Sequence, residues 1–305
     1  MDSLSTADVE FCLDMFKELN SNNAGDNIFF SPLSLLYALS MILLGARGNS
    51  AEQIEKVLHF NHTAESLKPK FKGSSKCSQT GKIHSELRVL FSQINQPDST
   101  YTLSIANRLY GTKAMAFHQS KSVIVEMMYQ TGTFKLAFIK EPQMQVLELP
   151  YVNNKLSMII LLPVGTANLE QIEKQLNVKT FHEWTSSSHM MEREVEVHIP
   201  RFKLEIKYEL NSLLKSLGMT DIFNQIKADL SGISPDKGLY LSKVIHKSYV
   251  DVNEEGTEAA AATGDSFVVK RLPIRAQFMA NHPFLFFIRH IPTNMILFCG
   301  KLASP

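Results

Sequence analysis

Two stretches near the C-terminus, Phe284 to Ile288 (FLFFI) and Met295 to Gly300 (MILFCG), are almost continuously apolar. A strand with one wet face alternates apolar and polar residues; these do not, so each reads as a strand buried on both faces. Ile28-Phe29-Phe30 reads as a further short buried strand. Ser31-Pro32 then starts a helix, with serine as N-cap and proline at the first helical position. From Leu33 to Leu44 that helix is apolar nearly all round, which places it in the core. Around this centre the spacing predicts strands at Tyr101 to Gly111, Thr133 to Ile139, Gln145 to Tyr151, Lys155 to Leu162, Glu192 to Ile199 and Leu239 to Val252. Helices are expected over residues 2–20, from a Ser50 cap to Leu58, over Ile83 to Ile94, from Leu169 to Leu176 with Glu170, Glu173 and Lys174 outward, and from Leu210 to Leu217 before Gly218. No linker, repeat or low-complexity segment interrupts the chain. The fold class is therefore α/β (mixed α+β), sheets with packed helices in one domain over residues 1–305.

Composition narrows the function. With 44% hydrophobic and 20% charged residues, the 305-residue chain has ordinary globular make-up. A formal net charge of +1 argues against nucleic acid or a membrane surface as partner. No apolar run reaches the roughly 18–20 residues of a membrane span. Asp8 and Glu10 stand where a secretory signal would be basic, so the expected location is the cytoplasm, with unconventional release left open. Cys12, Cys77 and Cys299 are odd in number and read as free thiols. Asn61-His62-Thr63 would be a glycosylation acceptor only in an exported chain. Five lysines between Lys68 and Lys82 read as a solvated loop, since no aromatics interleave them. His59 and His62 lack a third nearby ligand, so no metal site is assigned. No nucleophile elbow, phosphate-cradling glycine loop or Cys/His pair is present, so neither an enzyme nor a cofactor is expected.

The most informative stretch runs from Tyr249 to Arg275 (YVDVNEEGTEAAAATGDSFVVKRLPIR). It opens as a strand and continues through Glu255, Gly256, Thr257 and Glu258 into Ala259, Ala260, Ala261 and Ala262. By propensity alone an alanine run is helix. Small uncharged side chains are also what a segment needs to slide between the packed strands of a sheet.

NEEGTEAAAATG resembles the reactive-loop hinge of the serpins. Asn27 to Ile54, Val195 to Phe223 and Phe278 to Pro305 are similar to the family's first core segment, its later strand-and-helix signature and its C-terminal strand pair. The resemblance is closest to the ovalbumin-like intracellular branch. It implies a fold of three β-sheets with packed helices and an inhibitor of serine endopeptidases that works by being cut. The family's spacing from the hinge glycine lands on Lys270, so the implied reactive bond is Lys270-Arg271, suited to trypsin-like enzymes. His246, Ser31 and Ser34 match the polar cluster that governs opening of the main sheet.

After Gly111 the chain departs from the family. Residues 111–123 run straight into VIVEMMYQTGTFKLAFI, and the central strand of the main sheet, with its tryptophan signature, is absent. Trp184, the single tryptophan, matches a later helix. A splice variant and a truncated, diverged copy both stay open. The implied main sheet is thus incomplete. His246 is expected to lack the asparagine that completes the cluster in the family, leaving a ring nitrogen unsatisfied, and the loop is expected to be open to self-polymerisation. This leaves two functions: an inhibitor of trypsin-like serine endopeptidases, or a non-inhibitory serpin-fold chain acting as a binding protein, a structural protein or a protease substrate.

Overall fold

The computed structural model describes residues 3–22, 24–60, 83, 85–89, 92, 126–151, 154–186, 188–234, 238–253 and 275–304. The first helix, α1 (Ser3–Asn22), leads through strand β1 (Ile28–Phe30) into α2 (Pro32–Gly45) and α3 (Gly48–Val57). Then come β2 (Met127–Ile139), β3 (Met144–Pro150), β4 (Leu156–Pro163), α4 (Leu169–Gln175), α5 (Val178–Trp184), β5 (Met191–Pro200) and β6 (Phe202–Glu209). The remainder is α6 (Asn211–Ser216), β7 (Ile245–Val252), β8 (Ala276–Met279), β9 (Phe284–His290) and β10 (Met295–Leu302).

The described strands form an eight-stranded sheet, ordered β1-β10-β9-β4-β3-β2-β5-β8, and a separate antiparallel pair, β6-β7. The large sheet is itself two blocks joined by one strand. Met127 to Leu136 of β2 pair with β5, whereas Lys135 to Ile139 pair with β3. With β6-β7 this gives three groups of strands, in keeping with the fold expected. β3, β4, β9 and β10 carry almost unbroken buried residues, which is why their sequences lack alternation. Phe29 stacks between Phe286 and Phe298 at centroid distances of 5.9 and 5.3 Å. Gly300, opposite Phe286, leaves room for that ring: a Cβ there would lie 2.2 Å from it.

Helices α1 and α2 both pack on β10. Ser31 caps α2 as expected, its side chain accepting from the Ser34 amide, with Pro32 just inside. The buried side of α2 includes Leu33, Leu36, Leu39 and Leu43, while Met41 and Leu44 stand exposed among the described residues.

Four local expectations need correction. α3 begins at Gly48 behind Arg47, and Ser50 lies inside it, its hydroxyl accepting from the Asp229 amide at 3.0 Å. Glu173 is not outward; it pairs with buried Lys301 at 2.8 Å, and only Glu170 and Lys174 are exposed. β7 starts at Ile245 rather than Leu239, because the Leu241 amide bonds to the Ile222 carbonyl instead of joining a ladder. β2 is longer than expected, its first residues held by the ladder with β5. Of the helix expected at Ile83 to Ile94, residues 83, 85–89 and 92 are helical; the strand at Tyr101 to Gly111, the lysines from Lys68 to Lys82, Asn61 and Cys77 lie outside the described residues. Among the described residues no helix is long and apolar enough to cross a membrane.

Candidate functional site

β6 and β7 pair in full antiparallel register, from Phe202 opposite Val252 to Glu209 opposite Ile245. On β7 the buried positions are His246 and Ser248, two residues apart and therefore on one face. That face meets the backbone of β1 and the start of α2. The Ser31 amide donates to His246 Nε2 at 2.9 Å, and the Ser34 amide donates to Ser31 Oγ at 3.2 Å. Two residues along, the Ser248 hydroxyl donates to the Phe29 carbonyl at 2.6 Å. The Phe29 amide in turn donates to the Tyr208 hydroxyl at 3.2 Å. Ser31, Ser34 and His246 therefore come together, and Tyr208 and Ser248 join them.

The expectation of an unsatisfied ring nitrogen on His246 is corrected at Nε2, which accepts from the Ser31 amide. An N-cap residue's own N–H has no acceptor within its helix, so the Ser31 amide is free to serve the ring. Because Nε2 accepts, the ring is neutral with its proton on Nδ1. Burial pushes the His246 pKa down to about 4 and the Tyr208 hydroxyl up to about 12. Tyr208 was within reach of sequence reasoning, since Phe202, Leu204, Ile206 and Tyr208 alternate along β6. Its place opposite His246 is a matter of register, which the pattern of either strand alone does not fix.

Beyond Ser248 the strand reaches the surface. Asp251 pairs with Lys203 at 2.7 Å, and Asn253 donates to Asp251 at 3.2 Å. The chain is described again from Arg275, where β8 runs parallel to β5 on the rim of the large sheet. Residues 254–274 thus join the end of β7 in one sheet to the start of β8 in the other. The hinge residues Glu255, Gly256, Thr257, Glu258 and Ala259 to Ala262, and the bond Lys270-Arg271, lie outside the described residues. Elsewhere, His59 contacts the carboxylates of Asp14 at 2.7 Å and Glu10 at 3.3 Å, and the Asp14 hydrogen bond raises its pKa. No group of three potential metal ligands occurs among the described residues.

A profile of the family Serpin (serine protease inhibitor) matches residues 6–120 and 111–305, nearly the whole chain. The chain belongs to the serpin family. This serpin is 64% identical to Serpin B11 of Homo sapiens across an alignment of 392 positions that covers 100% of both chains. It is 37% identical to the leukocyte elastase inhibitor of Equus caballus across an alignment of 396 positions, again covering 100% of each. Its fold is similar to that of the crystal structure of uncleaved ovalbumin, with TM-score 0.80 and 30% identity across 99% of this chain and 100% of that one. The expected mixed α/β serpin fold and ovalbumin-like kinship therefore hold. The family is described as one of serine protease inhibitors.

Proposed function

We propose that this serpin presents Lys270-Arg271 to trypsin-like serine endopeptidases on a cleavable loop. The observation that carries the reading is the course of the chain around that loop. β7 is held by the Ser31-His246 and Phe29-Ser248 bonds and ends at Val252, and β8 is fixed to β5, so both ends of the 254–274 segment are anchored in different sheets. A segment so held, with Gly256 and a run of alanines at one end and Lys270 toward the other, has the parts of a cleavable, insertable loop. Lysine at the bond matches proteases whose specificity pocket holds a carboxylate.

A second reading concerns the fate of the enzyme once the loop is cut. Trapping it requires the freed loop to enter a sheet faster than water hydrolyses the acyl bond. Among the described residues β7 has one partner, β6, and its other edge is open. The profile match falls in two pieces that meet at residues 111–120, and the alignment with the human relative runs over 392 positions against 305 residues here. Both support a family segment missing near residues 111–123, where the strand beside the insertion slot belongs. We therefore expect cleavage without capture. Incubation with trypsin, a denaturing gel and mass spectrometry of the first fragments test both readings. The expected result is a first cut between Lys270 and Arg271 with no band at the summed mass. First cuts near Lys76 with residues 254–274 intact overturn the loop assignment, and a boil-stable band at the summed mass overturns the substrate reading alone.

A further inference from the structure

We propose that Cys12 and Cys299 form a latent disulfide, a covalent latch between the first helix and the last strand. The two side chains sit on elements that run in step. Ser5 of α1 donates to the Asn294 carbonyl at 3.3 Å, and one turn on, Asp8 accepts from the Ile296 amide at 2.6 Å. One further turn brings Cys12 alongside Cys299, so that each thiol has the other as a near neighbour. The bulge between Ile296 and Phe298 shortens the strand's advance, which helps the helix keep pace with it. Both cysteines are 0% exposed.

In the closed protein this pair is unreactive. Burial, the neighbouring Cys299 and the Asp8 carboxyl all hold Cys12 as the thiol, and only a thiolate attacks a disulfide. Closure therefore belongs to states in which α1 is off the sheet, during folding or local opening. The oxidant is glutathione disulfide. The thiolate of one cysteine attacks it, forming a mixed disulfide and releasing one glutathione thiolate. The second cysteine's thiolate then attacks the protein sulfur and expels the other. Two S–H bonds of the protein are lost and two molecules of reduced glutathione are formed. A reducing glutathione pool keeps the latch open, and an oxidising one closes it. The bridge places nearly the whole chain within one covalent loop, which restricts the unfolded state and slows release of α1.

The test is refolding of the Cys77→Ser chain in a glutathione redox buffer and, in parallel, in dithiothreitol. The expected product of the first is two hydrogens lighter, yields one peptide pair joining Cys12 to Cys299, and melts several degrees higher than the reduced chain. Dithiothreitol should reverse all three, and Cys299→Ala should abolish the bridge and the added stability. Glutathione adducts on single cysteines, or two thiols that alkylate after unfolding, overturn the proposal. Peptide mapping of the unsubstituted chain gives the same decision if a variant does not fold. A bridge through Cys77 there counts against it. The outcome is independent of how the chain meets a protease.

Discussion

His246 and Asp8 are both buried, and burial moves their proton affinities in opposite directions. His246 titrates near 4 in the folded chain and near 6.5 when exposed, because the buried ring resists a charge. Its contribution is fully present above pH 6.5 and is lost as pH falls toward 4, where the unfolded chain binds a proton that the folded chain refuses. The difference is on the order of 3 kcal/mol. With Asp8 replaced by Asn, so that only the His246 term remains of the two, we expect urea midpoints to fall between pH 7.5 and 4.5, and to fall less when His246→Gln is added, whose amide oxygen can still accept from Ser31. Asp8 behaves the other way. Burial raises its pKa to about 8, and the single bond from the Ile296 amide only partly offsets this. Its folded form holds a proton that the unfolded chain releases above about pH 4, so stability falls as pH rises from 4 to 8. Asp8→Asn removes the titration and should raise the urea midpoint far more at pH 8 than at pH 5. An equal change at both would mean that Asp8 ionises freely in the fold.

Among the elements, the junction of α1, α4 and β10 shows what local pattern can and cannot reveal. Lys301 on β10 is buried, and its ammonium meets Glu173 Oε1 at 2.8 Å, Asn20 Oδ1 at 2.8 Å and the Ala24 carbonyl at 2.6 Å. Removing one partner of such a pair leaves a buried charge uncompensated. Glu173→Ala should therefore cost about 3–5 kcal/mol, and a Glu173→Leu, Lys301→Met double variant should recover most of it. Thermal unfolding of the three chains decides this; a neutral Glu173→Ala would mean that water reaches Lys301. The helical spacing of α4 set Glu173 on the wet side because its partner is 128 residues away, and nothing near either residue advertises the other. The same limit explains Ser50, whose acceptor role depends on Asp229, and β7, whose first expected residues bond to Ile222 instead. What was legible has local causes: the unalternating runs of β9 and β10, the Ser31-Pro32 start of α2, and the period-two burial of Val195, Val197 and Ile199. Of the candidate site, the Ser31, Ser34 and His246 cluster came from family resemblance. Its geometry depends on strand register and on one free N-cap amide, and neither is written in any single segment.

At the scale of the whole molecule, the question is what occupies the edge of β7 that has no partner among the described residues. A strand edge with free N–H and C=O groups pairs with any extended segment that can reach it. The next segment of the chain after β7 is the hinge, Gly256 to Gly264, and its small side chains allow close approach. Pairing within one molecule would give a relaxed fold with its loop already seated. Pairing between molecules would be head-to-tail and would not close, so it would build chains of molecules. Either outcome uses the edge before any protease arrives. An inhibitory serpin with an empty slot gains a strand when its loop is cut, at roughly 1 kcal/mol for each new backbone hydrogen bond, and melts much higher afterwards. On this reading the cut adds little to the chain's stability, because the hinge would have filled the edge beforehand. The measurement is a melting curve before and after trypsin cleavage at Lys270, with light scattering on the uncut sample to separate seated monomers from polymers. The expected result is a shift of only a few degrees in either case. A large upward shift in a monomeric sample would show that the slot was present and empty, and would return this serpin to the trapping inhibitors.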